Sequence, residues 1–190
     1  MIDIENYISV SHKVLKKIDK NDIRKAIDLI INKINSNKKI ITCGNGGSAL
    51  TASHYITDWN KSYNLKTGKK LLGFSLNDNI GLITAIANDL AYEEIFSSQI
   101  KTIVDKEDLL IIISGSGKSK NIINAAKTAK EIGCSTLGII GYDGGDLKDI
   151  CDNLVHIPSW DMQICEDVHL VFGHLVMKSI CSEDVKPIYE

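Results

Sequence analysis

Three serines separated by glycines stand at Ser114, Ser116 and Ser119, in the segment Ser-Gly-Ser-Gly-Lys-Ser that follows the apolar run 108–113. Hydroxyls and backbone N–H groups at the start of a helix are suited to hold a phosphate, and the helix dipole adds roughly 0.3 to 2 kcal/mol for an anion there. The spacing is not that of a Walker loop. A flexible loop in which Ser119 caps the helix 120–132 is the alternative. The position after a buried strand favours the phosphate site.

A second glycine-rich turn, Cys43-Gly-Asn-Gly-Gly-Ser48, follows the short run Lys39-Ile-Ile-Thr42, with two apolar residues at its centre, and opens a helical stretch. In a strand–turn–helix unit of this kind, backbone N–H groups can approach an anionic or polyhydroxylated ligand closely. The turn lacks the G-x-G-x-x-G spacing of dinucleotide-binding proteins, which disfavours a nucleotide site. The two turns, with Ser48 included, together predict one sugar-phosphate site.

Two pairs of polar side chains have a spacing that could bind a metal ion. His54 and Asp58 are four residues apart on one predicted helix, about 40° apart around its axis. Glu166 and His174, on the last predicted helix, are about 80° apart, whereas His169 lies about 140° from His174 and is assigned to the core or an interface. Two imidazoles and two carboxylates suit zinc or a similar divalent ion. The spacing alone leaves a solvated His–Asp pair open.

The dipeptide Asn88-Asp89 follows the apolar helical run 80–86 and is predicted to end that helix. Such a dipeptide forms a helix cap or an Asx turn, or it binds sugar hydroxyls. The segment 143–146, Asp-Gly-Gly-Asp, is predicted to be a plain turn without a chemical role.

The composition predicts one domain over 1–190, with a helical segment at 1–36 and an α/β core at 37–182. The chain has 190 residues, 44% of them hydrophobic, and a net charge of -2, so nothing calls for nucleic acid as a partner. Because Arg24 is the single arginine, a phosphate must be held by hydroxyls, backbone amides or lysine.

The five cysteines form no C-x-x-C pair and are odd in number, which predicts reduced thiols in a cytoplasmic protein. No apolar run approaches the roughly 20 residues that a membrane span needs, and no signal peptide is expected at the start.

Short apolar strands that alternate with helices predict a parallel sheet covered on both faces, a three-layer α/β sandwich with five strands. The carboxyl ends of such strands form the ligand crevice, and both glycine-containing turns fall there. The predicted strands are 38–43, 70–75, 108–113, 135–140 and 153–157, and the predicted core helices are 47–61, 79–87, 91–104, 119–132, 146–151 and 161–182.

Five motifs occur in an order and spacing that resembles the sugar isomerase (SIS) fold and, within it, the sedoheptulose 7-phosphate isomerase (phosphoheptose isomerase) family. The resemblance extends from the N-terminal helices to about residue 181. The motifs are Gly44-Asn-Gly-Gly-Ser48, His54 four residues before Asp58, Asn88-Asp89, Ser114-x-Ser-Gly-x-Ser119 and Glu166-x-x-His169-x-x-x-x-His174.

The resemblance implies a flavodoxin-like sheet with N-terminal helices added, and an aldose–ketose isomerase of bacterial heptose biosynthesis, for lipopolysaccharide or capsule. It further implies a cytoplasmic homotetramer with active sites at subunit interfaces. The resemblance assigns the substrate as follows: the sugar contacts Asn45, Gly46 and Gly47, the phosphate contacts the loop of Ser114, Gly115, Ser116 and Ser119, and further contacts come from Asn88 and Asp89. It assigns zinc to His54, Asp58, Glu166 and His174. It assigns the acid/base pair to Asp58 and His174.

Several positions depart from the family's pattern. Asp58 replaces a usual glutamate, Glu166 a usual glutamine and Gly115 a usual threonine, and Lys61 and Ser62 stand near a position where the family has arginine. A carboxylate is redistributed, not lost, which indicates a subfamily of active enzymes. Whether Asp58 or Glu166 removes the substrate proton stays open.

Two other functions remain as alternatives. A non-catalytic SIS protein would sense a sugar phosphate or act as a scaffold, and a related isomerase would act on another sugar phosphate. The retention of four ligand-capable side chains favours the enzyme.

Overall fold

The computed structural model describes residues 3–187 and 189. Two helices, α1 (Ile4–Lys17) and α2 (Lys20–Asn35), precede an alternation of strands and helices. The strands are β1 (Ile40–Gly44), β2 (Gly73–Ser75), β3 (Leu109–Ser114), β4 (Ser135–Ile140) and β5 (Asn153–His156), and the further helices are α3 (Gly47–Thr67), α4 (Ile80–Asp89), α5 (Ser97–Ile103), α6 (Lys120–Ile132), α7 (Leu147–Ile150) and α8 (Met162–Ile180), with a 3₁₀ turn at Tyr92–Glu94.

All five strands are parallel, in the order β2-β1-β3-β4-β5. This order confirms the predicted flavodoxin-like sheet. From β1 the chain adds β2 on one side and then β3, β4 and β5 on the other, so the order in which strands are added reverses between β1 and β3. Ligands of such sheets bind at this switch point. The glycine-rich turn after β1 and the serine loop after β3 therefore begin side by side.

The side chains of β3 separate into two cores, as the two-residue period of a strand requires. Leu109, Ile111 and Ile113 pack with residues of α1, α2, α3 and α8 on one face, whereas Leu110 and Ile112 pack with α5 and α6 on the other. The six residues of β3 are all buried. The sheet is thus covered on both faces, which confirms the three-layer sandwich.

The element boundaries differ from the prediction in several places. The predicted helix 91–104 is wrong in its first half, where a 3₁₀ turn at Tyr92–Glu94 precedes α5, and the predicted strand 70–75 is a strand only at Gly73–Ser75. The third helix runs to Thr67 and ends at Gly68, whose φ of 69° is a left-handed cap. Helix α4 includes Asn88-Asp89 as its last turn, so this dipeptide does not break the helix earlier. The last helix starts at Met162, because the Asp161 carboxylate accepts the N–H groups of residues 163 and 164 as its N-cap.

The five cysteines are free thiols, and all but Cys151 are fully buried. Burial raises the pKa of both Cys134 and Cys151 to about 12, which keeps these thiols protonated and unreactive. Among the described residues, no helix has the length and apolar character needed to cross a membrane.

His169 is buried in α8, and neither ring nitrogen has a hydrogen-bond partner among the described residues. Burial lowers the pKa of His169 from 6.5 to about 4, because the interior disfavours the charged ring. The unfolded chain takes up a proton near pH 6.5 and the folded chain does not. The stability of the fold is therefore full above pH 6.5 and falls as the pH drops towards 4, by up to about 3 kcal/mol.

We expect His169→Leu to remove most of the pH dependence of stability between pH 7 and 5. Urea unfolding at both pH values measures it, with the exposed His12→Leu as the control that keeps the wild-type slope. An equal slope in His169→Leu and the wild type would show that the ring is charged in the fold.

Candidate active site

A crevice opens where the turns after β1 and β3 meet at the carboxyl edge of the sheet, and its volume is about 270 Å³. The start of α8 closes its third side. The lining residues are Asn45, Gly46, Gly47, Ser48, Ile113, Ser114, Gly115, Ser116, Ser119, Met162 and Glu166. Both predicted loops thus contribute to one crevice.

The hydroxyls of the serine loop are placed to donate to an anion. Ser114 Oγ accepts the N–H of Gly117 at 3.0 Å, and Ser116 Oγ accepts the N–H of Lys118 at 3.3 Å. Each oxygen is thereby used as an acceptor while its proton stays available. Ser119 occupies the N-cap position of α6, but its side chain makes no capping hydrogen bond in the described structure. These three hydroxyls and the start of α6 form a concavity that could bind an anion.

The turn at 143–146 packs directly under the serine loop, although its sequence suggested no chemical role. Gly117 has a φ of 67°, and a Cβ there would lie 2.8 Å from the carbonyl carbon of Gly144. Lys118 Nζ forms an ion pair with Asp143 Oδ2 at 3.0 Å, which holds the pKa of Asp143 below its usual value. The turn therefore fixes the conformation of the loop.

The glycine-rich turn lets a carboxylate come close to the start of α3. Gly46 adopts a φ of 54°, which favours glycine, and a Cβ on Gly47 would lie 2.5 Å from Glu166 Oε1. The glycine at position 47 leaves room for the carboxylate in this position, and a larger residue would make the Glu166 side chain shift. Glu166 consequently lies over the glycine turn, at the same crevice as the serines.

Further along α3, the side chains of His54 and Asp58 form a compact cluster with His174 of α8. His54 Nε2 lies 3.3 Å from Asp58 Oδ2 and 3.3 Å from His174 Nε2, and the latter lies 3.8 Å from Asp58 Oδ2. Asp58 is less exposed than either ring. The cluster could hold a metal ion.

The orientation of this cluster is set by a buried contact between α3 and α8. Trp59 Nε1 donates to the Gly173 carbonyl at 2.9 Å, and the Tyr55 hydroxyl donates to the His169 carbonyl. A Cβ at Gly173 would lie 2.5 Å from Tyr55 Cδ1, so a glycine there permits the close approach. These contacts, which we call the Tyr55–Trp59 clasp, hold His54 and Asp58 of α3 opposite His174 of α8.

The predicted site residues do not all meet. Glu166 lies two turns of α8 before His174, a rise of about 12 Å, and belongs to the crevice instead of the His–Asp–His cluster. Asn88 and Asp89 are exposed at the end of α4, where Asn88 Nδ2 donates to Asp89 Oδ1 at 2.9 Å. They are outside the lining of the crevice as the described residues form it.

Three residues at the site were not predicted from the sequence. Met162 packs where a side chain at Gly115 would lie, with its Cε 2.9 Å from the position of a Cβ there. Asn121 and Tyr92 hydrogen-bond with Asn45. The proximity of Asn121 to the serine loop in the chain was the one available signal; nothing in the sequence distinguished Met162 or Tyr92.

Comparisons with known proteins agree on one family. The SIS domain model matches residues 5–141. The chain is 35% identical to phosphoheptose isomerase of Aliarcobacter butzleri over 95% of this chain and 96% of that one, and 38% identical to phosphoheptose isomerase of Helicobacter pylori strain P12 over 83% and 82%. It also superposes on the structure of a phosphoheptose isomerase from Neisseria gonorrhoeae with a TM-score of 0.87, at 28% identity, over 94% and 97% of the two chains.

Proposed function

Because the chain belongs to the phosphoheptose isomerases of the SIS domain family, we propose that it converts sedoheptulose 7-phosphate to D-glycero-D-manno-heptose 7-phosphate through an enediol, in heptose biosynthesis. The chain is therefore an enzyme, an aldose–ketose isomerase that acts on a phosphosugar. The observation that carries the proposal is the pairing of an anion-binding crevice with a separate cluster of His54, Asp58 and His174.

The reaction moves one proton from C1 to C2 of the ketose and one proton from O1 to O2. These protons leave and enter adjacent atoms of the substrate, so the base and the O–H shuttle must stand a few ångströms apart. Asp58 Oδ2 and His174 Nε2 are 3.8 Å apart. We assign Asp58 as the base that takes the C1 proton and returns it to C2, and His174 as the group that moves a proton between O1 and O2; each would use the atom that lies outside the metal cluster, Oδ1 of Asp58 and Nδ1 of His174.

The remote phosphate supplies binding energy that orients the reacting end. Ser114, Ser116 and Ser119 donate their hydroxyl protons to its oxygens, together with N–H groups at the start of α6. We assign the sugar hydroxyls to the glycine turn and to the Glu166 carboxylate, which lies over it as an acceptor. Asn88 and Asp89 stay assigned as further substrate contacts.

We propose zinc as the metal of the His–Asp–His cluster. Donors about 2.0–2.2 Å from a tetrahedral zinc ion lie roughly 3.3–3.6 Å from one another. Two of the three donor-atom separations, both 3.3 Å, fit that spacing, and the third, between Asp58 and His174, is slightly longer at 3.8 Å. His54, Asp58 and His174 would hold the ion, and the Glu166 side chain would have to turn from the crevice towards the ion to become a further ligand. When bound, zinc would polarise the substrate carbonyl.

Zinc should raise the melting temperature of the wild type, because an ion that binds only the folded chain stabilises it. We expect His54→Ala to lose this shift and His12→Ala, an exposed histidine of α1, to keep it. Thermal melts with and without one equivalent of Zn²⁺ measure both. A shift that persists in His54→Ala would move the metal away from this cluster.

Ser116→Ala should raise KM about 10- to 100-fold and leave kcat within a factor of about three. The substitution removes one hydrogen bond to a charged group far from the reacting carbons. Steady-state kinetics decide, with Ser182→Ala in the C-terminal segment as a control. A fall in kcat at unchanged KM would contradict a role in phosphate binding.

The test of the function is incubation of the metal-replete protein with sedoheptulose 7-phosphate in D₂O, followed by NMR. An aldoheptose 7-phosphate that carries deuterium at C2 is the expected product. No turnover together with thermal stabilisation by the sugar phosphate would favour another sugar phosphate as substrate, or a sensor. If the protein shows no turnover and no thermal stabilisation by the sugar phosphate, the result would favour a scaffold.

We further propose that the chain assembles into a homotetramer with its active sites at subunit interfaces. Apolar side chains on α1 are open to solvent, with Ile4 63% and Ile8 62% exposed. A groove of about 300 Å³ between α1, α2 and α8 is lined by Leu15, Val171 and Leu175 among others. Light scattering on the full chain measures the mass of the assembly.

A further inference from the structure

A pair of amides, the buried Asn121 and the half-buried Asn45, joins the two loops that form the crevice. Asn45 Nδ2 donates to Asn121 Oδ1 at 2.9 Å, and Asn121 Nδ2 donates back to Asn45 Oδ1 at 2.8 Å. Asn45 belongs to the glycine turn after β1 and lines the crevice. Asn121 stands in the first turn of α6, two residues after Ser119, and is 1% exposed. The pair spans the switch point of the sheet.

The orientation of both amides is fixed by neighbouring groups. Asn121 Oδ1 also accepts the backbone N–H of Ile122 at 2.9 Å. An N–H group can only donate, so the atom that faces it must be oxygen, and the NH₂ group of Asn121 must face Asn45. The Tyr92 hydroxyl, at 3.0 Å, is a second donor to Asn45 Oδ1.

The hydrogen-bonding capacity that Asn45 has left follows by counting. An amide oxygen accepts two hydrogen bonds, and an NH₂ group donates two. Asn121 and Tyr92 occupy both acceptor positions of Asn45 Oδ1, and one of its two N–H protons goes to Asn121. Asn45 therefore retains one N–H donor and no acceptor for a ligand.

We propose that Asn121 is a positioning residue that makes Asn45 a donor to a substrate oxygen. Asn121 acts through Asn45, since its own side chain is buried, and Tyr92, in the 3₁₀ turn after α4, supports the same orientation. The substrate atom must offer a lone pair, as a carbonyl or hydroxyl oxygen does. This inference rests on the proposed function for the identity of the sugar phosphate, but the donor assignment itself rests on the hydrogen bonds.

The test compares Asn121→Asp with Asn124→Asp. A carboxylate at 121 accepts only, so it removes the donor to Asn45 Oδ1 and sets an oxygen against that oxygen. The Asn45 amide is then displaced, and its remaining N–H no longer points to the substrate. Asn124, three residues further along α6, bonds to Glu93 and Glu94 instead, and serves as the control for a new negative charge on this helix. Tyr92→Phe, at an exposed side chain, tests the network without the risk of unfolding.

We expect Asn121→Asp to raise KM for sedoheptulose 7-phosphate at least tenfold, with a smaller rise of two- to fivefold in Tyr92→Phe. The inhibition constant of inorganic phosphate, which probes the serine loop alone, should stay within twofold of the wild type in both variants. Values of KM within twofold of the wild type in both variants would overturn the proposal. A parallel loss of inorganic phosphate binding would also overturn it, because it would show general support of the serine loop.

Failure of the proposed function is recognised separately, because the wild type itself would then not turn over sedoheptulose 7-phosphate. In that case the same variants are compared by the thermal stabilisation that sugar phosphates and inorganic phosphate give. Selective loss of the sugar phosphate's extra stabilisation in Asn121→Asp supports the donor assignment, and an unchanged difference contradicts it.

Discussion

Replacing His174 by alanine should lower kcat by about 10²- to 10⁴-fold and change KM little. His174 lies beside Asp58 in the His–Asp–His cluster, and we assign it the transfer of protons between the two substrate oxygens. The phosphate and sugar hydroxyls bind elsewhere, in the crevice between the two loops. Loss of the ring should therefore affect the chemical step and spare binding. Steady-state kinetics on metal-replete protein measure both constants.

His54→Ala is the matched comparison for this variant. Both substitutions remove an imidazole that lies close to Asp58 and would ligate the metal. Only His174 has the additional role in proton transfer. The kcat of His174→Ala should therefore be at least tenfold lower than the kcat of His54→Ala. Equal losses would reduce His174 to a ligand, and full kcat in His174→Ala would exclude it from the reaction.

Asp58→Asn should likewise abolish most of kcat, about 10²- to 10⁴-fold, whereas Glu166→Gln should cost less than tenfold. The amide cannot accept the C1 proton, and Asp58 is the carboxylate adjacent to the proposed shuttle. Glu166 instead lies over Gly47 in the crevice, where it meets the glycine turn. Its conversion to an amide keeps the size of the side chain and changes one acceptor into a donor.

Proton abstraction can be followed apart from turnover by the exchange of C1 protons of the substrate with D₂O. We expect this exchange to vanish in Asp58→Asn and to continue in Glu166→Gln. The reverse pattern would make Glu166 the base. An equal, mild loss of the exchange rate in both variants would contradict a mechanism with a single base. It would require the two carboxylates to share the proton.

The sheet could be predicted from the sequence because its strands are short apolar runs that end at turns. In β3, the five residues Leu109–Ile113 face both cores, so no polar alternation interrupts them. The boundaries of the helices were less accessible. Helix α3 continues past residue 61 since Tyr63 packs into the core, a contact that depends on the tertiary fold.

The site was predicted in part, and the limits have a physical cause. The angles around a helix place Glu166 and His174 on one side, but they do not fix where side chains about 12 Å apart along the axis point, and the Glu166 side chain lines the crevice. His54 and Asp58, one turn apart, do meet. Asn45 and Asn121 bond across 76 positions of the chain, a pairing that only the arrangement of β1 and β3 creates.

The Tyr55–Trp59 clasp holds the residues assigned to the chemical step on a part of the fold different from the turns assigned to substrate binding. His54, Asp58 and His174 stand on two long helices locked by buried bonds to the carbonyls of residues 169 and 173. The sugar and the phosphate are assigned to turns beyond the ends of β1 and β3. Changes in those turns can therefore alter which phosphosugar binds, while the positions of His54, Asp58 and His174 relative to one another are unchanged. A fold divided in this way can diversify its substrates during evolution without having to rebuild its chemistry.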